Sequence, residues 1–234
     1  MYGKLYLFPV SIGTEDLLRQ LPAYNLELIR TLNKFIAEDA KTARRFLKSC
    51  GYPQLDKAEI LLLNEHTKSG ELSDLMSDLL EGQNVGLMSD AGCPGIADPG
   101  AEVVRLAHQK GIEVVPLVGP SSIVLSIMAS GFNGQNFAFV GYLPIEKPQK
   151  IKKLKELEQL ALKQHQAQFF IETPYRNEQM FETALECLGP HTLLLMGKDL
   201  NSEGQVIRAK TIADWRKGPK PALHKVPVVF GIFH

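Results

Sequence analysis

The chain has 234 residues, 44% of them hydrophobic and 22% charged, the balance of a globular protein with a sizeable core. Lys+Arg and Asp+Glu are both 26, so the formal charge is zero. Nucleic-acid binding through bulk charge is therefore excluded, and any RNA contact has to come from a local patch. Cys50, Cys93 and Cys187 lie far apart with no metal spacing, which excludes a disulfide framework and a zinc site. No run approaches the roughly 18 apolar residues of a membrane span.

Short apolar β-rich runs alternate with segments of helical period. The pattern predicts a strand over 4–10, a helix over 26–32, a strand over 34–37 and a helix over 39–50. The opening run reads as that first strand and not as a signal peptide, because no apolar region of the needed length follows. A strand over 59–63, a helix over 71–80, a strand over 84–88, a helix over 100–110 and a strand over 112–117 come next. This βαβα order predicts a parallel sheet with helices on both faces. Pro and Gly punctuate 116–120, the best boundary between α/β domains at 1–117 and 118–234. The second half gives helices over 121–130, 147–164, 177–188 and 211–215, with strands over 137–140, 168–171, 191–196 and 225–233.

Residues 89–100 are the most informative stretch, with Gly92, Gly95 and Gly100 beside Pro94 and Pro99 after an apolar strand. Loops at the carboxyl ends of parallel strands bind ligands in such sheets. Asp90 and Asp98 bring carboxylates, and backbone N–H and C=O groups there suit an adenosine or amino-acid moiety. The alternative is a tight turn into a helix with Pro99 at its first position. The residues alone leave both open, and the spacing is not the G-x-G-x-x-G of a dinucleotide fold.

Glu38 and Asp39 likewise have two readings, a catalytic acid pair or an N-cap for the helix that follows. Lys41, Arg44, Arg45 and Lys48 fall at i, i+3, i+4 and i+7, one helix face that suits phosphates. Lys147, Lys150, Lys152, Lys153 and Lys155 read as a solvated face opposite the apolar Ile151, Leu154 and Leu157. His66 reads as a structural or merely exposed loop histidine.

The run SDAGCPGIADPG resembles the SDAG-P-I-DPG signature of tetrapyrrole-methylase-type methyltransferases. It is most similar to the branch that methylates a ribose 2′-oxygen of a cytidine in bacterial 16S ribosomal RNA. Four more blocks agree in order. Residues 35–42 resemble that branch's EDTR-type block, and 116–131 its P-GPS-A…SG block. Residues 139–144 are similar to its F-GFLP block, and 170–176 to its YESPHR block. The family's TPIGNL-type turn is represented by 8–14 without Asn-Leu, and Ala40, Lys41, Cys93 and Tyr175 replace usual residues. The late RELTK-type block is reduced to 197–202.

The resemblance implies an α/β fold of two domains, a parallel-rich sheet in the N-terminal one and a mixed sheet in the C-terminal one. It implies S-adenosylmethionine in the interdomain cleft, RNA of the small ribosomal subunit as partner, a cytoplasmic homodimer, no membrane partner and no metal. Carried over, the cofactor positions are Pro9, Asp90, Ala91, Gly92, Ile96, Ser121, Ser122, Gly141, Tyr142 and Glu172. Glu38, Asp39 and Asp90 are the catalytic candidates, because a 2′-hydroxyl needs a base or strict in-line positioning. Lys41, Arg44, Arg45, Lys48 and Arg176 are the candidates for holding substrate. Two other readings stay open: a small-molecule, tetrapyrrole-like methyltransferase, and a cofactor-binding protein without catalysis.

Overall fold

The structure is a computed structural model and describes residues 1–63, 67 and 76–234. It divides into two units, Met1–Ser121 and Ser122–His234, each built on its own five-stranded sheet.

In the first unit β1 (Lys4–Phe8), β2 (Lys34–Ala37), β3 (Glu59–Leu62), β4 (Val85–Met88) and β5 (Glu113–Pro116) pair in the order β3-β2-β4-β1-β5. Every pairing is parallel. The central β4, Val-Gly-Leu-Met, is buried throughout, as a strand covered on both faces must be. Four described helices accompany the sheet: α1 (Ala23–Ile29), α2 (Ala40–Ser49), α3 (Ser77–Leu80) and α4 (Gly100–Gln109).

That order fixes where the helices go. From β1 the chain steps one way through β2 to β3, then reverses through β4 to β5. Right-handed crossovers put α1 and α2 on one face and α3 and α4 on the other. The cores agree. Phe8, Phe35 and Met88 pack with Leu26 and Ile29 of α1 and Phe46 and Leu47 of α2. Leu5, Ile36 and Leu87 pack with Leu79 of α3 and Val103 and Ala107 of α4. The loops leaving β4 and its neighbours therefore diverge to opposite faces, which makes this the sheet's switch point.

In the second unit come α5 (Ser122–Ser130), β6 (Phe137–Tyr142), α6 (Lys147–Gln164), β7 (Ala167–Ile171), α7 (Asn177–Cys187), β8 (Leu193–Lys198), β9 (Val206–Thr211), α8 (Ile212–Lys217) and β10 (Val228–Phe233). The strand order is β6-β7-β10-β8-β9, with β6 and β7 parallel and the other pairs antiparallel. The sheet is mixed, as expected. Leu154 and Leu157 of α6, Met180 and Phe181 of α7 and Trp215 of α8 cover one face. Leu125 and Ile127 of α5 pack against Phe169, Leu195 and Val229 on the other.

Three departures from the sequence pattern have physical causes. The first strand stops at Phe8, and Val10 instead forms an isolated bridge with Gly92. Strand β9 went unanticipated because it is an edge strand with one neighbour, half-exposed and carrying Arg208 and Lys210. Lys150 is buried at 1% exposure, so the lysine-rich start of α6 is not a uniformly solvated face. Lys150 precedes Leu154, Leu157 and Ala161 by 4, 7 and 11 positions and thus lies on their apolar stripe. The expected helix over 71–80 is described only at Ser77–Leu80, and residues 71–75 and His66 lie outside the described residues. No helix among the described residues is long and apolar enough to cross a membrane.

Candidate active site

Parallel registry brings three chain segments to one end of the first sheet. Met88 is level with Phe8 on one side and with Ala37 on the other. The residues that follow, Pro9, Glu38 and Ser89, therefore emerge together on strands about 4.8 Å apart. Glu38 and Asp39 leave β2 beside Asp90 leaving β4. Residues 51 and 52 positions apart in sequence become neighbours through register alone.

The 89–100 loop is fastened from within. Ser89 is buried, and its hydroxyl reaches the carbonyls of Ala91 at 3.2 Å and Gly92 at 3.4 Å. The Val10 N–H donates to the Gly92 carbonyl at 2.8 Å, and the Gly92 N–H returns a bond to the Val10 carbonyl at 3.0 Å. The Gly92 amide is thus spent on the protein and is not a free donor for a ligand. Asp98 accepts from the Gly95 N–H at 2.8 Å and the Gly100 N–H at 2.7 Å. It caps the start of α4, while Pro99 stands at the N-cap without a side-chain bond and not inside the helix as expected. Gly100 is required here, because a Cβ would lie 2.8 Å from the Asp98 carboxylate.

Beneath the loop, Gly119 lets the 116–120 segment touch the buried Pro9, since a Cβ there would fall 2.2 Å from the proline Cβ. The Cys93 thiol donates to the Pro120 carbonyl at 3.3 Å. Asp90 and Ala91 are exposed, and the Ile96 side chain is nearly half exposed. Ser121 closes the first unit.

The acids here are electrostatically strained. Burial pushes the Glu38 carboxyl up, and the charges of Asp98 and Asp90 add to it, against an opposing hydrogen bond from the Asp90 backbone. Burial also raises Asp90, with Asp39 adding and Arg45 pulling back. Asp98 is raised by burial against its two backbone donors. Asp39 is the exception. It is the N-cap of α2, accepting from the Thr42 N–H at 2.7 Å, and that bond lowers it. A raised carboxyl is a better proton acceptor near neutral pH, so Glu38 and Asp90 have the chemistry of a base and Asp39 that of a cap.

All four cations of the α2 stripe are exposed. Arg44 is tied to the Leu55 carbonyl at 2.9 Å. Arg45 lines a pocket with Asp90, and its guanidinium makes no hydrogen bond or ion pair within the described residues.

The remaining expected residues belong to the second unit. Ser122 is the first residue of α5. Gly141 sits at φ +70°, where the β6–β7 pairing shifts register, and Tyr142 beside it is more than half exposed. Glu172 is buried, and its Oε1 accepts from the Thr173 N–H at 2.7 Å and from Arg176 at 2.7 and 3.0 Å. Its Oε2 faces the Lys150 Nζ at 3.5 Å. Oε1 and the Arg176 fork are thus engaged inside the protein, whereas the buried Oε2 has no hydrogen-bond partner and is met only by the Lys150 charge.

Sequence reasoning missed Asp98 as the brace of the loop and Lys150 as the buried counter-charge of Glu172. The signals were present: an Asp two residues before a helical Gly, and a Lys on an apolar stripe.

No family model matches the chain. Among curated proteins, "Ribosomal RNA small subunit methyltransferase I" of Mesorhizobium japonicum is 30% identical over 208 residues, covering 89% of this chain and 67% of that protein. The chain belongs to the ribosomal RNA small subunit methyltransferase I family. The Halalkalibacterium halodurans member is 33% identical over 80% of this chain and 61% of its own length. The Escherichia coli O157:H7 member is 28% identical over 91% and 70%. Among solved structures, the methyltransferase CobJ superposes with a TM-score of 0.64 at 16% identity, over 99% of this chain and 94% of that one. Uroporphyrin-III-C-methyltransferase from Thermus thermophilus gives 0.57 at 17%, over 100% and 93%. These two likenesses show that the chain shares the α/β fold of both enzymes. As a member of the methyltransferase I family, the chain is an S-adenosylmethionine-dependent methyltransferase.

Proposed function

We propose that the chain methylates a ribose 2′-oxygen of small-subunit ribosomal RNA, with Asp90 as the proton acceptor. The observation that carries this is the convergence of Glu38 and Asp90, both raised, at the switch point of a parallel sheet. Relatives named for ribosomal RNA favour RNA over a tetrapyrrole, because the tetrapyrrole enzymes resemble this chain in fold alone.

The residues present fit the cofactor. Asp90 offers a carboxylate to hydroxyl and cationic groups, Ile96 an exposed apolar surface, and Ala91 an exposed stretch of backbone. When bound, S-adenosylmethionine supplies an electrophilic methyl group on its sulfonium. The protein's own work is to hold the acceptor in line and to take its proton. Asp90 accepts that proton, its carboxyl kept basic by burial and by the Asp39 charge against the pull of Arg45, with Glu38 beside it. Pro9, Gly92 and Ser121 shape the floor of the cofactor loop. The α2 stripe of Lys41, Arg44, Arg45 and Lys48 faces the RNA strand, and the chain works as a cytoplasmic homodimer, which sedimentation of the purified protein checks.

Small ribosomal subunits from an undermethylated strain provide the test. Wild-type protein with labelled cofactor labels a ribose, and Asp90→Asn slows transfer about 100-fold or more while cofactor still binds. Cofactor binding without labelled RNA would overturn the reading.

A further inference from the structure

Between the segment after β1 and the flank of α2 lies a pocket of about 230 Å³. Thr14, Glu15, Thr42, Arg45, Ser49 and Asp90 are among the residues that line it. It is smaller than the roughly 300–1,000 Å³ of sites that enclose whole drug-sized ligands, so it suits one unit of a polymer better than a macrocycle.

The hydrogen-bonding state of its walls says which unit. Ser49 donates its hydroxyl to the Arg45 carbonyl at 3.1 Å, and Thr42 bonds the Asp39 carboxylate, so those two hydroxyls are spent. Thr14 accepts from the Asp16 N–H at 3.2 Å and so keeps its own proton to give. Among the described residues Arg45 keeps its whole fork. The side-chain donors left for a ligand within the described residues are thus Arg45, Thr14 and the Ser11 hydroxyl, and the acceptors are the carboxylates of Asp90 and Glu15. One anion and one or more hydroxyls satisfy that set.

We propose that this pocket receives a single sugar–phosphate unit of the RNA strand, its phosphate on Arg45 and Thr14 and its ribose hydroxyl toward Asp90. The inference rests on the RNA reading above and sharpens it. Of the four cations on α2, Arg45 is the one whose position couples phosphate capture to the proposed base. Arg44 is committed to Leu55. A planar fork on phosphate is also a bidentate site, where lysine is a poor substitute. The two carboxylates discriminate for RNA, because a deoxyribose offers them no 2′-hydroxyl.

The test is equilibrium binding of a fluorescent single-stranded oligoribonucleotide carrying the small-subunit sequence, with cofactor present. Arg45→Ala is expected to weaken binding about 10-fold or more, the loss of a charge-assisted contact. Arg45→Lys should recover part of it. Lys110→Ala, which removes one exposed charge from the end of α4, should change binding less than about 2-fold. The deoxy version of the oligonucleotide should bind wild type about 3-fold or more weaker and lose that handicap in Asp90→Ala. Equal binding by wild type and Arg45→Ala overturns the pocket, as does equal loss in Arg45→Ala and Lys110→Ala. A wild-type protein that binds through Arg45 yet labels no subunit overturns the proposed reaction and leaves the pocket standing.

Discussion

Each unit gathers ionisable groups near its strand ends, and the two gatherings are electrostatic opposites. At the ends of β2 and β4, Glu38, Asp90 and Asp98 crowd together and all three are raised. After β7, Glu172 sits fully buried between Lys150 and Arg176 and is lowered, burial being outweighed by Arg176, the Thr173 N–H and Lys150. The second arrangement gives Glu172 Oε1 three protein donors and sets Oε2 against the Lys150 ammonium without a hydrogen bond, so the acid is neutralised from within. In the first, Asp98 takes the Gly95 and Gly100 N–H groups, but the Asp90 carboxylate accepts no hydrogen bond among the described residues, the condition in which a group is available for chemistry. Acids of the same type therefore separate into a brace and a reactive cluster by what surrounds them.

The largest effect should come from breaking the brace. Glu172→Ala strands the buried Lys150 ammonium and should cost about 3–5 kcal/mol, read as a lower urea midpoint. Replacing the pair together, Lys150→Met with Glu172→Leu, should recover most of that loss. The pH dependence has a definite sign. Because Glu172 is lowered when folded, its stabilisation is complete above the ordinary 4.5 and is lost as pH falls through the lowered value. Acid unfolding of Glu172→Ala should lack that component. A midpoint unchanged from wild type would mean that Glu172 is not a brace.

Asp98 tests the comparison inside the reactive cluster, because it is raised like its neighbours yet bonded like Glu172. Asp98→Ala orphans the Gly95 and Gly100 N–H groups and should cost about 1–3 kcal/mol. It should also weaken cofactor binding, since the loop carrying Asp90 and Ile96 loses its internal fastening. Isothermal titration with S-adenosylmethionine checks it. Affinity retained alongside lost stability would detach the loop's shape from its proposed ligand.

Much of this arrangement was legible in the sequence, and the limits have physical reasons. Periodicity placed β2 and α6 with their observed bounds, because both are strongly patterned and punctuated. It also made the 89–100 loop conspicuous through three glycines and two prolines. What it could not supply was register. Nothing local in Glu38, Asp39 or Asp90 says that β2 pairs with β4 at Ala37 and Met88, and that pairing makes the acids one cluster. Capping was ambiguous for a similar reason. Asp39 is adjacent to Glu38 in sequence, yet Asp39 turns to the Thr42 amide while Glu38 lies within reach of the Asp98 and Asp90 charges. Lys150 was misread because composition outweighed position: five lysines suggested solvent, although one of them stood on the buried stripe.

The smallest effect is the most discriminating in sign. Glu38 is raised when folded, so whatever favour folding gives it is complete below the ordinary 4.5 and is lost as pH rises through the raised value. At neutral pH its ionised form is then a net cost to folding. Glu38→Gln removes that cost and should leave the protein slightly more stable than wild type at pH 7, by less than about 1 kcal/mol because the group is partly solvated. The difference should vanish as both are taken below pH 4.5. Methyl transfer should fall at the same time if Glu38 serves the reaction, because the site loses the carboxylate whose raised proton affinity marks it as a second acceptor beside Asp90, and the pH–rate profile loses that group's contribution. A gain in stability with a loss of rate is the signature of a charge kept for function. Thermal melts at two pH values and one rate profile separate this from a structural acid, for which both quantities would fall together.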